Sequence, residues 1–344
     1  MKAIVFYGKH NLVIEDINMP EANDDEVIIK VMSCGICGTD VHIYEGDEGA
    51  AATPPKTVLG HEFAGVVVSI GQNVKNISEG DRVCVDPNKL CGECYYCKNA
   101  IGHFCENMIG IGTTVNGGFE QYCAVPQSQV YKIADTTSFE EAAMAEPVSC
   151  CIHGIDLCDI KTNDTVVVIG CGMIGLIMLQ LAKIGGAAKL IALEPNNEKR
   201  KLAKKLGADL CIDPINEDAK KILKENNITR VTKVIECVGR TQTMKQAIDL
   251  AGKKSTVMFF GLTAPDDTID IKPFEIFKKE IEIKASYINP YTQQRAIEMI
   301  DSKRIDVKSM IYKVACLDEL PEILGDKELR GKGKFIINPN DTAN

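Results

Sequence analysis

The stretch "VVVIGCGMIG", residues 166–175, sets four β-branched residues directly ahead of a glycine pattern. Gly170, Gly172 and Gly175 form G-x-G-x-x-G, and "MIGLIMLQLAKIGG" (173–186) continues as a helix pattern closed by glycines. The stretch predicts a buried strand, a tight turn and a helix start. The first glycine makes the turn, the second lets backbone approach a pyrophosphate, and the third allows close helix–strand packing. The helix start offers unpaired N–H groups to phosphates. The pattern gains weight from Glu194, which ends the next apolar run, "KLIALE", nineteen residues after Gly175. An acid there accepts ribose hydroxyls and repels a 2′-phosphate, which favours NAD over NADP. Lys199, close behind, weakens that preference.

The same rhythm continues outward. "NEKRKLAKKLGA" (197–208) and "TQTMKQAIDLAG" (241–252) have helical patterns, and "VTKVIECVG" (231–239) and "STVMFFGL" (255–262) read as buried strands. Alternating elements of this kind predict an α/β doubly wound parallel sheet. "STVMFF" is a candidate edge strand for oligomer contacts. Before about residue 150 the chain is strand-rich and turn-rich, as in "DEVIIKVMSCG", "FAGVVVSIG" and "GDRVCVDP". Beyond about residue 285 a helix, "TQQRAIEMIDSKRID", and a closing strand, "GKGKFIINP", are expected. The expected division is 1–150, 151–289 and 290–344, with the middle segment inserted into a domain built from the other two.

A chain of 344 residues is long for one core. A net charge of −9 argues against nucleic acid as a partner. There is no run of eighteen apolar residues, so no membrane span is expected. The start, "MKAIVFYGKHNLVIED", lacks the pattern of a signal peptide. Fifteen cysteines, an odd number, do not suggest a secreted disulfide framework. A cytoplasmic protein is expected.

Four of those cysteines cluster. "CGECYYCKNAIGHFC" spaces Cys91, Cys94, Cys97 and Cys105 so that four thiolates can close a structural zinc site. An iron–sulfur cluster is the alternative, with a different last spacing. A second set is spread over two stretches, "CGICGTDVH" (34–42) and "GHEFAG" (60–65). Cys37, His61 and Glu62 are a thiolate, an imidazole and a carboxylate that can bind zinc and leave one position open.

Taken together, "GICGTDVH", "GHEFAG", "GDRV", the four-cysteine stretch, "GGFEQY" and "GCGMIG" resemble the zinc-containing medium-chain dehydrogenase/reductase family over essentially the whole chain. "AEPVSC" (145–150) is similar to the polyol dehydrogenase branch, which includes sorbitol and galactitol-1-phosphate dehydrogenases; threonine dehydrogenase is close. The resemblance implies a GroES-like catalytic domain and a Rossmann domain. It implies two zinc ions per chain, a catalytic one on Cys37, His61 and Glu62, and a structural one on the four cysteines. Glu146 stands at or near the fourth catalytic position and competes with Glu62 for the role of direct ligand, with Glu62 preferred. Thr39 and His42 match a proton relay, and Ile174, Glu194 and Lys199 match cofactor contacts. The implied reaction is oxidation of a secondary hydroxyl of a polyol or polyol phosphate with NAD, with L-threonine and 2,3-butanediol as alternative substrates. A dimer or tetramer is implied. Outside the class stand a zinc-free reductase of the same fold and a non-catalytic zinc-binding protein. Sorbitol dehydrogenases have an Arg-Tyr pair where this chain has Ile288-Asn289, and Asn289 is similar to an asparagine of the galactitol-phosphate enzymes.

Overall fold

The computed structural model describes residues 1–47 and 52–341. The chain divides into two compact units, residues 1–149 with 289–344, and residues 150–288.

The unit 150–288 holds a six-stranded, wholly parallel sheet. Its spatial order is Leu210–Ile212, Lys189–Leu193, Thr165–Ile169, Lys233–Glu236, Thr256–Phe259, Glu282–Ala285. In chain order that is 3-2-1-4-5-6, and ligands of such sheets bind where the order reverses, beside the first strand. The first strand is apolar on both sides because both its faces are covered, and Val166, Val167 and Val168 are wholly buried. Helices Met173–Ile184, Asn197–Lys205, Ala219–Glu225, Thr241–Leu250 and Pro273–Lys279 link successive strands. Asn196 and Asp218 cap two of them through side-chain oxygens, satisfying first-turn N–H groups.

The expectation of an edge strand at "STVMFF" is not met. Thr256–Phe259 pairs on both sides, with Lys233–Glu236 and Glu282–Ala285, and Val257 and Met258 are buried. The apolar run over residues 257–260 suits a covered central strand and not a margin. The margin is Glu282–Ala285, where Ile283 is exposed, as are Phe274 and Phe277 on the preceding helix.

The other unit is built on a seven-stranded sheet. Its main path runs Val130–Lys132, Arg82–Val85, Glu62–Ile70, Glu26–Gly35, Lys334–Asn338, Ile311–Cys316, and Tyr122–Pro126 also pairs with Glu26–Gly35. The 289–344 segment therefore closes a sheet that the first 149 residues begin. Register shifts between Ile28 and Ile29 and between Val31 and Ser33 kink the long central strand. Ile4, Ile29, Val31, Phe63, Val67 and Val83 lie in its core. Among the described residues no helix is long and apolar enough to cross a membrane.

Candidate active site and metal centres

The antiparallel register pairs Gly35 with Glu62. That pairing brings the residues just after one strand, 36–37, beside those just before the other, 60–61. Cys37 caps the helix Gly38–Tyr44, and donor atoms of Cys37, His61 and Glu62 lie within 4.8 Å of one another. His61 and Glu62 are buried, at 6% and 0% exposure.

Two residues that the sequence reading passed over hold this set. Asp40 is fully buried; its Oδ2 accepts the Cys37 N–H at 2.8 Å, and its Oδ1 stands 3.5 Å from His61 Nδ1. At 3.5 Å that contact is electrostatic more than a hydrogen bond. Burial alone would lower the His61 pKa, but the charges of Asp40 and Cys37 outweigh it and hold it well above the usual range. Lys334, 4% exposed, gives its ammonium to Glu62 Oε2 and to the Ile36 carbonyl at 2.7 Å. Gly35 makes room for this pair, since a Cβ there would collide with Glu62 Oε2. The sequence signal for Asp40 is its place three residues after Cys37, where an acid can cap the helix; for Lys334 it is a lysine opening an apolar strand.

Thr39 Oγ1 lies 3.8 Å from Cys37 Sγ. His42 is one helical turn further on; its ring Nδ1 is 3.1 Å from Asp47 Oδ2, and 42% of its side chain is exposed. Glu146, in the first turn of Ala145–Cys158, is buried but is not one of the three converging donors. Asn289 is 2% exposed, and its amide is used internally: Oδ1 accepts from Asn88 at 2.6 Å and Nδ2 donates to Asp86 at 3.2 Å. It ties its loop to Asp86.

Cys91, Cys94, Cys97 and Cys105 also converge within 4.8 Å. The N–H groups of Glu93 and Cys94 point at Cys91 and lower its thiol pKa to about 6, whereas burial pushes the Cys97 thiol up to about 12.

In the unit 150–288, Gly170 adopts φ 88° and ends the first strand. A Cβ on Gly175 would collide with the Gly170 carbonyl, whereas one on Gly172 would meet nothing within 4 Å. The turn thus packs tightly on its inner side and is open at the helix start. Glu194 lies 7% exposed beside it; Oε2 accepts the Cys171 N–H at 2.8 Å and Oε1 accepts the Asn196 N–H at 2.9 Å. Ile174 is the second residue of the helix, and Lys199 sits in the first turn of Asn197–Lys205, its N–H capped by Asn196.

Residues 23–135 match the alcohol dehydrogenase GroES-like domain, and residues 174–302 match the zinc-binding dehydrogenase domain. The D-arabitol-phosphate dehydrogenase of Enterococcus avium is 36% identical over 341 residues, covering 97% of this chain and 95% of that protein. The chain belongs to the zinc-binding dehydrogenase family. An L-threonine 3-dehydrogenase of Caldanaerobacter subterraneus subsp. tengcongensis is 37% identical over 79% of this dehydrogenase and 79% of its own length. A zinc-binding dehydrogenase of Sinorhizobium meliloti 1021, solved with NADP, superposes with a TM-score of 0.95 at 35% identity, covering 98% of this chain and 99% of that one.

The donors in this dehydrogenase suit the family's metal. The set Cys37, His61 and Glu62 mixes sulfur, nitrogen and oxygen, as three-ligand zinc sites do. Among the described residues Glu62 Oε1 is buried without a hydrogen-bond partner, and such a group is costly unless something satisfies it. Asp40 beside His61 is the kind of carboxylate that orients a metal-binding imidazole.

Proposed function

We propose that this dehydrogenase oxidises a secondary hydroxyl of a polyol or polyol phosphate to a ketone, with NAD as hydride acceptor. The observation that carries the reading is the convergence of Cys37 with the buried His61 and Glu62, held by Asp40 and Lys334. These three residues would hold a catalytic zinc, and Cys91, Cys94, Cys97 and Cys105 a structural one. A zinc so held supplies Lewis acidity that lowers the pKa of a hydroxyl beside it. NAD held at the Gly170–Gly175 turn beside Glu194 would supply the hydride acceptor. The protein's own part is to position the alcohol and to move its proton. Thr39 Oγ1, beside Cys37, accepts the proton of the substrate hydroxyl and releases its own onward. His42 shares the Thr39 face of the helix, and its half-exposed ring returns protons to water. Glu146, buried in its helix, is read from the resemblance as a second carboxylate that competes with Glu62. Ile174 and Lys199 border the dinucleotide, and Gly172 leaves room for its pyrophosphate.

The polyol reading follows the name of the Enterococcus relative, which matches nearly the full chain. L-Threonine is the second reading, supported by the 37% identical relative. A panel of polyols, polyol phosphates, 2,3-butanediol and L-threonine with NAD, read by reduced nicotinamide, separates them. A polyol should turn over fastest; turnover of L-threonine alone would reverse the assignment. Cys37→Ser should lose activity by orders of magnitude while retaining its circular-dichroism spectrum, since the other cysteine set stays intact. A fully active Cys37→Ser enzyme would remove the catalytic-zinc reading.

We further propose a cytoplasmic homo-oligomer, a dimer or tetramer. The thiols of Cys91, Cys94, Cys97 and Cys105 stand reduced and close together, which suits a reducing compartment. The unpaired margin Glu282–Ala285, with Ile283, Phe274 and Phe277 exposed, offers another copy a strand to extend.

A further inference from the structure

The end of the Lys189–Leu193 strand carries two opposing signals. An acid there suits the free ribose of NAD, whereas an arginine nearby accommodates the 2′-phosphate of NADP. This chain has both, Glu194 and, six residues on, Arg200.

The two side chains are treated differently by the fold. The Glu194 carboxylate is fixed at the glycine turn by the N–H groups of Cys171 and Asn196, with further lone pairs left on each oxygen. Arg200 is drawn inward. Its Nη1 donates to the carbonyls of Glu194 and Pro195, both at 2.7 Å, and stands 3.2 Å from Asp213 Oδ2. The side chains of Arg200 and Asp213 are only 20% and 15% exposed.

Asp213 reaches Arg200 because of strand register. Leu193 pairs with Ile212 in the parallel sheet, so the residues that follow each strand, Glu194 and Asp213, emerge side by side. Asp213 is itself built in. Oδ1 accepts the Ile215 N–H at 3.1 Å, Oδ2 accepts from Asn216 Nδ2 at 3.1 Å, and its own N–H donates to Glu217 Oε2 at 2.7 Å. A 2′-phosphate brings about −1.5 to −2 of charge at neutral pH. It would meet two carboxylates, with the nearby guanidinium already committed to one of them.

We propose that Asp213 is a specificity-determining residue, which by holding Arg200 against the Glu194 backbone denies a 2′-phosphate its cation and sets the preference for NAD. This role rests on the reading that the Gly170–Gly175 turn binds a nicotinamide dinucleotide.

The test compares kcat/KM and Kd for NAD and NADP in the full-length enzyme and in D213N, E194S, E194S/D213N and E194S/D213N/R200A, with melting curves recorded for each. D213N should move the NADP-to-NAD ratio of kcat/KM about tenfold toward NADP, about 1.4 kcal/mol. E194S/D213N should exceed E194S by a similar factor, and R200A in that background should abolish the increment. D213S, which removes the carboxylate without leaving an amide to refill the contact, is read in the same way should D213N fold poorly. Ratios unmoved by D213N and D213S in proteins of unchanged melting temperature would overturn the role of Asp213. A gain that survives R200A would overturn its action through Arg200. A wild-type enzyme that binds neither dinucleotide would instead sink the reading beneath it, and the role with it.

Discussion

Lys334 and Glu62 form a buried ion pair whose partners lie 272 residues apart in the chain. Burial would lower the lysine pKa, but the Glu62 charge outweighs it and raises it. Removing one partner strands the other charge. Lys334→Met should therefore destabilise the protein by about 3–5 kcal/mol, and Glu62→Gln in the same chain should restore part of the loss. Calorimetry on both variants checks this; a Lys334→Met protein as stable as wild type would contradict it. Glu120 is the opposite case, a buried carboxyl with no cation paired to it among the described residues. It is 2% exposed, Oε2 has no hydrogen-bond partner, and burial pushes its pKa up to about 8 from an ordinary 4.5. In the folded state it holds a proton that the unfolded chain releases. The stability it allows is full below about pH 4.5 and is lost as pH rises toward about 8. Glu120→Gln should flatten the fall in unfolding midpoint across that window. Equal slopes in variant and wild type would show that another group is responsible.

At the scale of elements, the 91–105 segment has little of its own to bury. Its helix Tyr95–Lys98 contains no buried residue, and Tyr95 and Phe104 face solvent. Without an apolar core, four sulfurs around a metal are what would hold such a segment. Cys94→Ser should reduce bound zinc from two ions to one per chain and expose residues 91–105 to proteolysis. Atomic absorption and limited digestion read the two effects. Retention of both ions would refute the structural-zinc assignment. The glycine turn is a similarly local device, and its spacing was legible for that reason. Gly170, Gly172 and Gly175 act within one turn and one helix start, where sequence distance and spatial distance coincide. The cysteine spacings were legible on the same ground. The edge strand lay elsewhere: "STVMFF", the more apolar run, is covered on both sides, and "EIKA", with Glu282 and Lys284, forms the margin.

At the scale of the molecule, the exposed margin Glu282–Ala285 and the aromatic pair Phe274 and Phe277 are the features that bear on assembly. Unpaired strand edges recruit other strands unless charge or proline blocks them. If copies pair along this margin, as proposed, Ile283→Asp should lower the mass read by light scattering while leaving the secondary structure intact. An unchanged mass would place the contact between copies elsewhere.

By itself the sequence determined the doubly wound sheet, the glycine turn with Glu194, both sets of converging donors and the resemblance to zinc dehydrogenases. These depend on periodicity and on short spacings, which carry geometry directly. Only the tertiary structure decided what surrounds them. It set Asp40 against His61, Lys334 on Glu62 and Asp213 on Arg200, and it turned Asn289 inward to Asp86. The Lys334 and Asp213 contacts come from strand register, and strands that pair in space are separated in sequence by loops and whole domains. No spacing along the chain records which residues they bring together.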